Sequence, residues 1–189
     1  ANQLGVSIYW NAPTREDDVE AQIMLVEHVI DRRYQGLVLA PDQALSLINP
    51  VRRALSHEIP TVIIGSPLPI PPSGNLFYIV NDDAKAARIA AQRVADLLNG
   101  RGTVAILGIN PDVTSIMIRT RAFEEFVAQR YPGIRIVDRR MGSFNVQREQ
   151  EVAEDTLRTN PKLDVIVSQT SVTTDGVLAA LDASPENNS

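Results

Sequence analysis

The side chains best suited to chemistry stand directly after short apolar runs of the sequence. These positions are rich in Asn, Asp, Ser, Thr and Gln, include two aromatic residues, and are poor in His, Lys and Cys; they are residues 10–14, 41–42, 66–67, 81–83, 109–115, 141–145 and 169–173. In an open parallel sheet, ligands bind beyond the carboxyl ends of the strands, where loop amides and helix N-termini point into a crevice. This inventory favours hydrogen bonding to hydroxyl groups over catalysis.

Two short motifs with enzymatic counterparts fail on their context. Gly65-Ser66 follows an apolar run, as a nucleophile elbow does, but G-x-S-x-G is absent and neither His28 nor His57 ends such a run. Gly100-Arg101-Gly102 precedes an apolar run, so it predicts a turn and not a dinucleotide or phosphate loop. The sequence therefore disfavours an enzyme, although periodicity alone does not exclude a doubly wound enzyme fold.

No metal site and no cofactor is expected. The chain has no cysteine, which excludes disulfides, thiolate metal sites and a catalytic thiol. His28 and His57 show no ligand spacing and are predicted at the surface or its boundary. Glu16 and the pair Asp17-Asp18 stand at the start of a predicted helix, where stabilisation of the helix dipole is favoured over cation binding.

Four larger side chains each allow two interpretations. Arg119 and Arg121 lie on one predicted helix, and each either clamps an anionic or polyol ligand or tethers its helix to a neighbouring carboxylate. Phe144 stands between a strand and a helix, where it either stacks on the apolar face of a sugar or anchors its loop. Trp10 has the same two interpretations.

Composition narrows the class of protein. The 189 residues carry 18 Lys and Arg against 23 Asp and Glu, a formal net charge of -5, whereas a free-standing nucleic-acid-binding protein normally shows the opposite balance. Direct nucleic-acid binding by this chain is therefore not expected. With 44% hydrophobic and 22% charged residues, the chain is in the ordinary globular range. No run approaches the roughly 20 apolar residues of a membrane span.

Short β-rich runs alternate with amphipathic helical stretches almost from end to end, which predicts an α/β fold with parallel sheets flanked by helices. Most runs are continuously apolar, as expected of strands buried on both faces; they span 4–9, 36–40, 61–65, 76–80, 103–108, 134–138 and 165–168. The proline-rich stretch 67–74 predicts an extended connector without a helix. The third and fourth strands are therefore expected in different parts of one sheet or paired antiparallel.

Helices are predicted in the intervening stretches. The first is marked by apolar residues at helical spacing, Val19, Ile23, Val26 and Ile30. Asn49 is expected to cap a second helix over 50–57, with Pro50 as its first residue. Asp82 or Asp83 is expected to cap a third, which ends at Asn99-Gly100. Further helices are expected over 115–130, 147–159 and 173–183. The chain is expected to form an N-terminal lobe over 1–81 and a C-terminal lobe over 82–189.

The order of segments carries a family resemblance from about Leu4 to Leu181. In sequence, the segments are GLVLAP, IPTVII, IVNDDAKAARIAAQRVADLL, GTVAILG, RTRAFEEF, GSFN, NPKLDVIVSQ and DGVLAAL. This series resembles the type I periplasmic sugar-binding fold, which ribose-type ABC solute-binding proteins share with the effector domains of lactose-repressor-like regulators. The resemblance implies two α/β lobes that close on a small ligand in an interlobe cleft, about a hinge near residues 81–82.

The resemblance also implies a set of ligand-binding residues. Asp82 takes the place of a family Asp, and Asp83 replaces the usual Asn after it. Residues 108–117, which include Asn110, match a loop and helix start that contribute a ligand-binding Arg; Met117 occupies that Arg position and Arg119 matches a second Arg. The expected ligand contacts are Ser66, Asp82, Asn110, Met117, Arg119, Phe144, Thr170 and Ser171.

Several of these positions depart from the family pattern. Phe144 keeps the aromatic type of a ring-stacking position. Thr170 and Ser171 stand where Asn and Asp contact ligand hydroxyls. Gly65 and Ser66 stand where sugar binders carry Asp and Arg. By the family's measure, the chain is also expected to be incomplete at both ends, because members begin with one more strand and helix and finish with further segments.

Two functions follow from the resemblance. The first is the solute-binding component of an ABC importer, in the periplasm or otherwise outside the cytoplasm, with a sugar or other polyol as ligand and an ABC permease as partner. The alternative is the effector-binding domain of a lactose-repressor-type regulator without its DNA-binding headpiece, which would be cytoplasmic and homodimeric. The net charge slightly favours the first.

Overall fold

The computed structural model describes residues 2–15 and 18–183. The chain divides into two compact units, unit 1 (Ala1–Val80) and unit 2 (Asn81–Ser189). Each unit is built on a three-stranded parallel sheet. Within the described residues, no helix is long and apolar enough to cross a bilayer.

Unit 1 carries two helices on one face of its sheet. After a 3-10 turn (Asn2–Leu4), its elements are α1 (Val19–Asp31), β1 (Leu37–Leu39), α2 (Ile48–Ser56), β2 (Thr61–Gly65) and β3 (Leu76–Val80). The strands lie in the order β1-β2-β3. Alternate strand residues such as Leu37, Leu39 and Ile63 pack against both helices, because side chains along a strand point to opposite faces.

Helix α1 forms where the apolar spacing predicts it. Its cap is Asp18, whose carboxylate accepts a hydrogen bond from the Ala21 backbone N–H at 2.9 Å. Capping is therefore the observed role of Asp18, while Glu16 and Asp17 lie outside the described residues. The buried face of α1 includes Val26, Val29 and Ile30, as the helical spacing predicts.

The capping predicted for α2 is wrong. The helix begins at Ile48, and its cap residue is Leu47, which makes no side-chain capping bond. Asn49 lies inside the first turn. Pro50 is accepted there because the N–H groups of a first helical turn have no partner within the helix.

The strand predicted over 4–9 is absent. Leu4 belongs to the 3-10 turn, residues 5–9 are irregular, and the side chains of Leu4, Val6 and Ile8 are 80%, 52% and 68% exposed. These three apolar residues alternate as in a strand, but a strand persists only where a neighbouring strand satisfies its backbone hydrogen bonds. No neighbouring strand pairs with 4–9 within the described part of the chain.

The expectations for the third and fourth predicted strands are also wrong. β3 pairs directly with β2 and runs parallel to it, from Thr61 opposite Leu76 to Gly65 opposite Val80. The connector between them contains no helix, as predicted. It packs back against the sheet, where the Tyr78 hydroxyl donates to the Ile70 carbonyl at 2.6 Å. Burial raises the pKa of Tyr78.

Unit 2 has helices on both faces of its sheet. Its elements are α3 (Asp83–Leu97), β4 (Arg101–Ile109), α4 (Thr114–Arg130), β5 (Gly133–Met141), α5 (Val146–Thr159), β6 (Val165–Ser168) and α6 (Ser171–Asp182). The parallel strands lie in the order β5-β4-β6. Val104 and Ile106 of β4 face a core with α3 and α4, while Ala105 and Leu107 face a second core with α5 and α6.

Local signals determine where α3 begins and ends. Asp82 is its cap and accepts from the Lys85 N–H at 2.9 Å, which decides between the two predicted capping residues. After the helix, Asn99 and Gly100 adopt positive φ angles of 50° and 73°, the left-handed conformation that stops a helix. The other predicted strands and helices are confirmed, with ends shifted by a few residues at most.

Candidate functional site

The carboxyl ends of β4, β5 and β6 lie along one edge of the unit 2 sheet, because the three strands are parallel. The Gly142 N–H donates to the Ile109 carbonyl at 2.8 Å, and the Gln169 N–H donates to the Leu107 carbonyl at 3.0 Å. The segments that leave β5 and β6 therefore start beside the end of β4. We call the residues 109–115, 141–145 and 169–173 the unit 2 edge; it contains four of the eight predicted contacts, Asn110, Phe144, Thr170 and Ser171.

A glycine sets the close packing of this edge. Gly108 has a φ of +82°, and a Cβ built on it would lie 2.4 Å from Oγ1 of Thr173. Thr173 is itself fully buried at the start of α6. The first turn of α6 therefore packs directly on the end of β4, which only a residue without a side chain allows.

Arg119 connects three elements near the unit 2 edge. Its Nη1 donates to Oδ1 of Asp83 at 2.8 Å, and its Nη2 donates to the carbonyl of Gln169 at 3.2 Å. The Asp83 side chain is 4% exposed and that of Arg119 is 30% exposed. The structure thus shows the tethering interpretation of Arg119, which links α4 to the first residue of α3 and to the end of β6. A ligand contact from its exposed part stays a prediction.

Arg121 also pairs with a carboxylate, but at the surface. Its Nε donates to Oε1 of Glu125 at 2.7 Å, one helical turn further along α4. Its side chain is 82% exposed. Exposed pairs of this kind contribute little to stability, and nothing in the structure directs Arg121 to the unit 2 edge.

Phe144 lies in the short loop between β5 and α5, with 39% of its surface exposed. On one side, Ser143 and Asn145 exchange hydrogen bonds of 3.3 Å through the Ser143 hydroxyl. On the other, Asn145 caps α5 by accepting from the Arg148 N–H at 3.0 Å. The ring is therefore presented by a loop with defined hydrogen bonds, next to the end of β5.

Three of the predicted polar contacts, Asn110, Thr170 and Asp82, serve as caps or turn formers. Asn110 accepts from the Asp112 N–H at 3.0 Å, and Thr170 accepts from the Thr173 N–H at 3.1 Å as the cap of α6. Asp82 plays the same part for α3. These bonds fix the side chains in place and leave further oxygen lone pairs for a ligand. Ser171 is exposed in the first turn of α6.

Two predicted contacts differ from the rest. Met117 is 38% exposed on α4, two residues before Arg119. Ser66 belongs to unit 1, where it follows β2 and is 9% exposed. Trp10, a further aromatic candidate, is 84% exposed. In the same segment, Tyr9 makes ring contacts that were not predicted from the sequence. The Tyr9 ring lies 5.6 Å from the His28 ring and 5.4 Å from the Tyr34 ring.

The sequence also missed Glu149, a fully buried carboxylate on α5. Oε1 of Glu149 accepts a hydrogen bond from the backbone N–H of Ser143, beside Phe144. A signal for this residue does exist in the sequence. Glu149 is in helical register with the buried residues Ala153 and Thr156, so an acidic residue occupies a core position of an amphipathic helix.

The chemistry available at the unit 2 edge is hydrogen bonding and ring stacking. A cavity of about 350 Å³ lies between α3, α4 and β6; Ala86, Ala90 and Phe123 line it, with the Arg119 side chain and Gln169 among its polar lining. Among residues 2–15 and 18–183, no three His, Asp or Glu side chains are grouped as a metal site. His28 is half-buried and His57 is exposed, both in unit 1 and as the sequence predicts.

This fold and this edge define a class: an α/β protein of parallel-sheet units with a hydrogen-bonding surface beyond the strand ends. The family model of the periplasmic binding protein domain matches residues 1–188. The chain therefore belongs to this family, which confirms the resemblance seen in the sequence.

Individual relatives agree with that assignment. The chain is 25% identical over 178 residues to the D-ribose/D-allose-binding protein of Pseudomonas aeruginosa, a match that covers 89% of this chain and 53% of that protein. It is 26% identical over 188 residues to the D-allose-binding periplasmic protein of Escherichia coli, which covers 96% of this chain and 60% of that protein.

A solved structure is similar in fold as well. An ABC transporter solute-binding protein from Burkholderia graminis, in complex with D-arabinose, superposes with a TM-score of 0.90 at 26% identity, over 99% of this chain and 63% of that chain. This chain spans between half and two thirds of the length of these relatives.

Proposed function

We propose that this chain is part of the solute-binding component of a sugar-type ABC importer, located outside the cytoplasm. Its ligand is a small sugar or another polyol, and its partner is an ABC permease. The observation that carries the proposal is the half-exposed ring of Phe144 beside hydrogen-bonding side chains at the unit 2 edge, in a chain that matches the family over residues 1–188.

The chemistry of a sugar matches the groups at this edge. A sugar has an apolar ring face, which stacks on an aromatic side chain, and a rim of hydroxyls, which donate and accept hydrogen bonds. In the proposed complex, Phe144 stacks on the ring. Asp82, Asn110, Thr170 and Ser171 bind hydroxyls, and Arg119, held by Asp83, donates to them. Met117 and Ser66 stay predicted contacts.

The relatives favour this function over the alternatives. Those described above are named for the sugars they bind, which supports a transport component over a transcription regulator. They are binding proteins and not enzymes. Asp82 and the groups at the unit 2 edge also support binding over catalysis, because their hydrogen bonds form caps and turns and not an acid–base pair.

Isothermal titration of the 189-residue chain with D-ribose, D-allose and D-arabinose tests the proposal. We expect saturable binding of at least one sugar, without conversion of the bound sugar as followed by NMR. Phe144→Ala should weaken that binding by about tenfold or more, because it removes the stacking surface. Phe77→Ala is the matched control, since Phe77 is half-exposed on a strand of unit 1. The affinity of this variant for the sugar should equal that of the wild type.

Three results contradict the proposal. The first is the absence of heat and of saturation with all three sugars at millimolar concentration, from a chain that circular dichroism shows to be folded. The second is sugar binding that Phe144→Ala leaves unchanged, which would place the ligand elsewhere. Rapid conversion of a bound sugar would instead establish an enzyme.

A further inference from the structure

Glu149 stands out among the acidic residues of α5 because it is completely buried. Its neighbours on the helix, Glu151 and Glu154, are exposed. Burying a carboxylate costs free energy unless its oxygens are well paired, and an apolar side chain of similar size would fill the same space without that cost. The specific contribution of the carboxylate is therefore the hydrogen bond that it makes.

That hydrogen bond joins α5 to the loop before it. Oε1 of Glu149 accepts from the backbone N–H of Ser143, six residues earlier. Oε2 is buried and has no hydrogen-bond partner among the described residues. The carboxylate thus directs its bonding to one backbone amide of the loop between β5 and α5, and bonds between a carboxylate and an N–H are stronger than neutral ones.

The backbone of Glu149 is itself fixed by α6. A Cβ built on Gly176 would lie 2.5 Å from Cβ of Glu149 and 2.7 Å from the backbone N of Gln150. The two helices therefore touch backbone to backbone at this point. The backbone of Glu149 is therefore held against α6, and its carboxylate reaches Ser143 from this position.

Phe144 is held on both sides as a result. Ser143 is bound by Glu149, and Asn145 is bound to Ser143 and to the first turn of α5. We infer that Glu149 is a positioning residue, whose buried carboxylate orders residues 142–145 and thereby fixes the orientation of the Phe144 ring for a ligand. The ordering of the loop stands on the geometry alone, whereas the effect on a ligand rests on the proposed function.

Amide hydrogen exchange, measured by NMR on the 189-residue chain, tests the ordering of the loop. In Glu149→Ala, exchange at Ser143 should become about tenfold faster or more relative to the β4 amides, because the hydrogen bond from the Ser143 N–H to the Glu149 side chain is lost. Glu149→Gln keeps an acceptor oxygen and should restore most of the protection. Glu151→Ala, which removes an exposed partner of Arg148, is the control and should leave Ser143 unchanged.

The same variants are then titrated with D-arabinose, D-ribose and D-allose. Glu149→Ala should weaken the binding of whichever sugar the wild type binds by about tenfold, and Glu149→Gln by about threefold or less, because only the first variant frees the ring. Unchanged exchange at Ser143 in Glu149→Ala overturns the inference. Faster exchange at Ser143 together with an unchanged sugar affinity in Glu149→Ala also overturns the inference, provided that Phe144→Ala weakens sugar binding. If the wild type binds no sugar, the proposed function fails and the exchange data still decide the ordering of the loop.

Discussion

In unit 2, the central strand β4 has helices on both faces, and Val104, Ala105, Ile106 and Leu107 are all fully buried. In the described part of unit 1, both helices pack on one face of the sheet. Phe77 and Ile79 of β3 are 50% and 69% exposed on the other face, and Val38 of β1 is 67% exposed. The strand sequences do not predict this difference in burial, since TVIIG of β2 is as continuously apolar as the middle of β4.

The comparison shows that a continuously apolar strand can be buried on both faces, but that its sequence alone does not determine whether it is. Continuous apolar runs predict cover on both faces, and in unit 2 four helices supply that cover. In unit 1, α1 and α2 both pack on the same face. Side chains of equal size on these strands and helices should therefore contribute very different amounts to the free energy of unfolding in the two units.

The largest expected effect comes from two phenylalanines. Phe123→Ala removes a 1% exposed ring from the core of unit 2 and should lower the free energy of unfolding by about 3–5 kcal/mol, because it leaves a cavity. Phe77→Ala truncates a half-exposed ring in unit 1 and should cost about 1 kcal/mol or less. Urea unfolding followed by circular dichroism measures both. Equal losses would mean that the open face of unit 1 is covered in solution.

The next comparison uses the glycines that end the two central strands. Gly108 of β4 and Gly65 of β2 have similar positive φ angles of +82° and +74°, but a Cβ on Gly108 would overlap Thr173, whereas a Cβ on Gly65 meets nothing within 4 Å. Gly65→Ala should therefore cost about 1–2 kcal/mol for the backbone conformation alone. Gly108→Ala should cost about 1–3 kcal/mol more, because the clash must be relieved.

Urea unfolding of the two glycine variants, with the wild type as reference, gives the difference directly. Thr173→Ser is a useful background for Gly108→Ala, because it removes the methyl group that also lies close to the added Cβ. Part of the extra cost of Gly108→Ala should then disappear. If Gly65→Ala and Gly108→Ala destabilise equally, α6 does not pack on the end of β4 as described.

The strands show how far the sequence predicts this fold. Residues 61–65, 76–80 and 165–168 are strands with the predicted bounds, because turn residues flank each of these apolar runs and each has a neighbour. Residues 4–9 have an equally good pattern, yet they form no strand. Pairing is a contact between segments that are distant in the chain, and a local pattern does not determine whether that contact exists.

The candidate site is likewise only partly predictable from the sequence. Placing Asp82, Phe144 and Thr170 next to strand ends needs only the order of elements and the rule for parallel sheets. Their role as ligand contacts stays a prediction. The pair Arg119–Asp83, separated by 36 residues, depends on how two helices pack together, and the support of Ser143 by Glu149 depends on how a helix packs against a loop. Neither pairing is encoded in a local motif, although an acidic residue in the buried register of α5 is a signal from which Glu149 could have been found.

The smallest expected effect is the acid pH dependence that Asp164 of unit 2 contributes to stability. Before β6, Oδ2 of Asp164 accepts from the backbone N–H of Thr103 at 2.7 Å and from its hydroxyl at 2.9 Å. These bonds lower the pKa of Asp164. In unit 1, the Thr61 hydroxyl donates to the Ile59 carbonyl at 3.1 Å, an acceptor that does not titrate.

The lowered pKa of Asp164 fixes the sign of the effect. A carboxylate that is bonded in the folded state stabilises it fully above the ordinary pKa of about 4, and this contribution is lost as the pH falls through the folded pKa. The difference in unfolding free energy between wild type and Asp164→Asn should therefore be constant from about pH 7 to about pH 5 and smaller at about pH 3. Urea midpoints measure it, and Thr61→Val should show a difference that does not change with pH. A difference for Asp164→Asn that stays constant down to pH 3 would show that these hydrogen bonds do not favour the charged carboxylate.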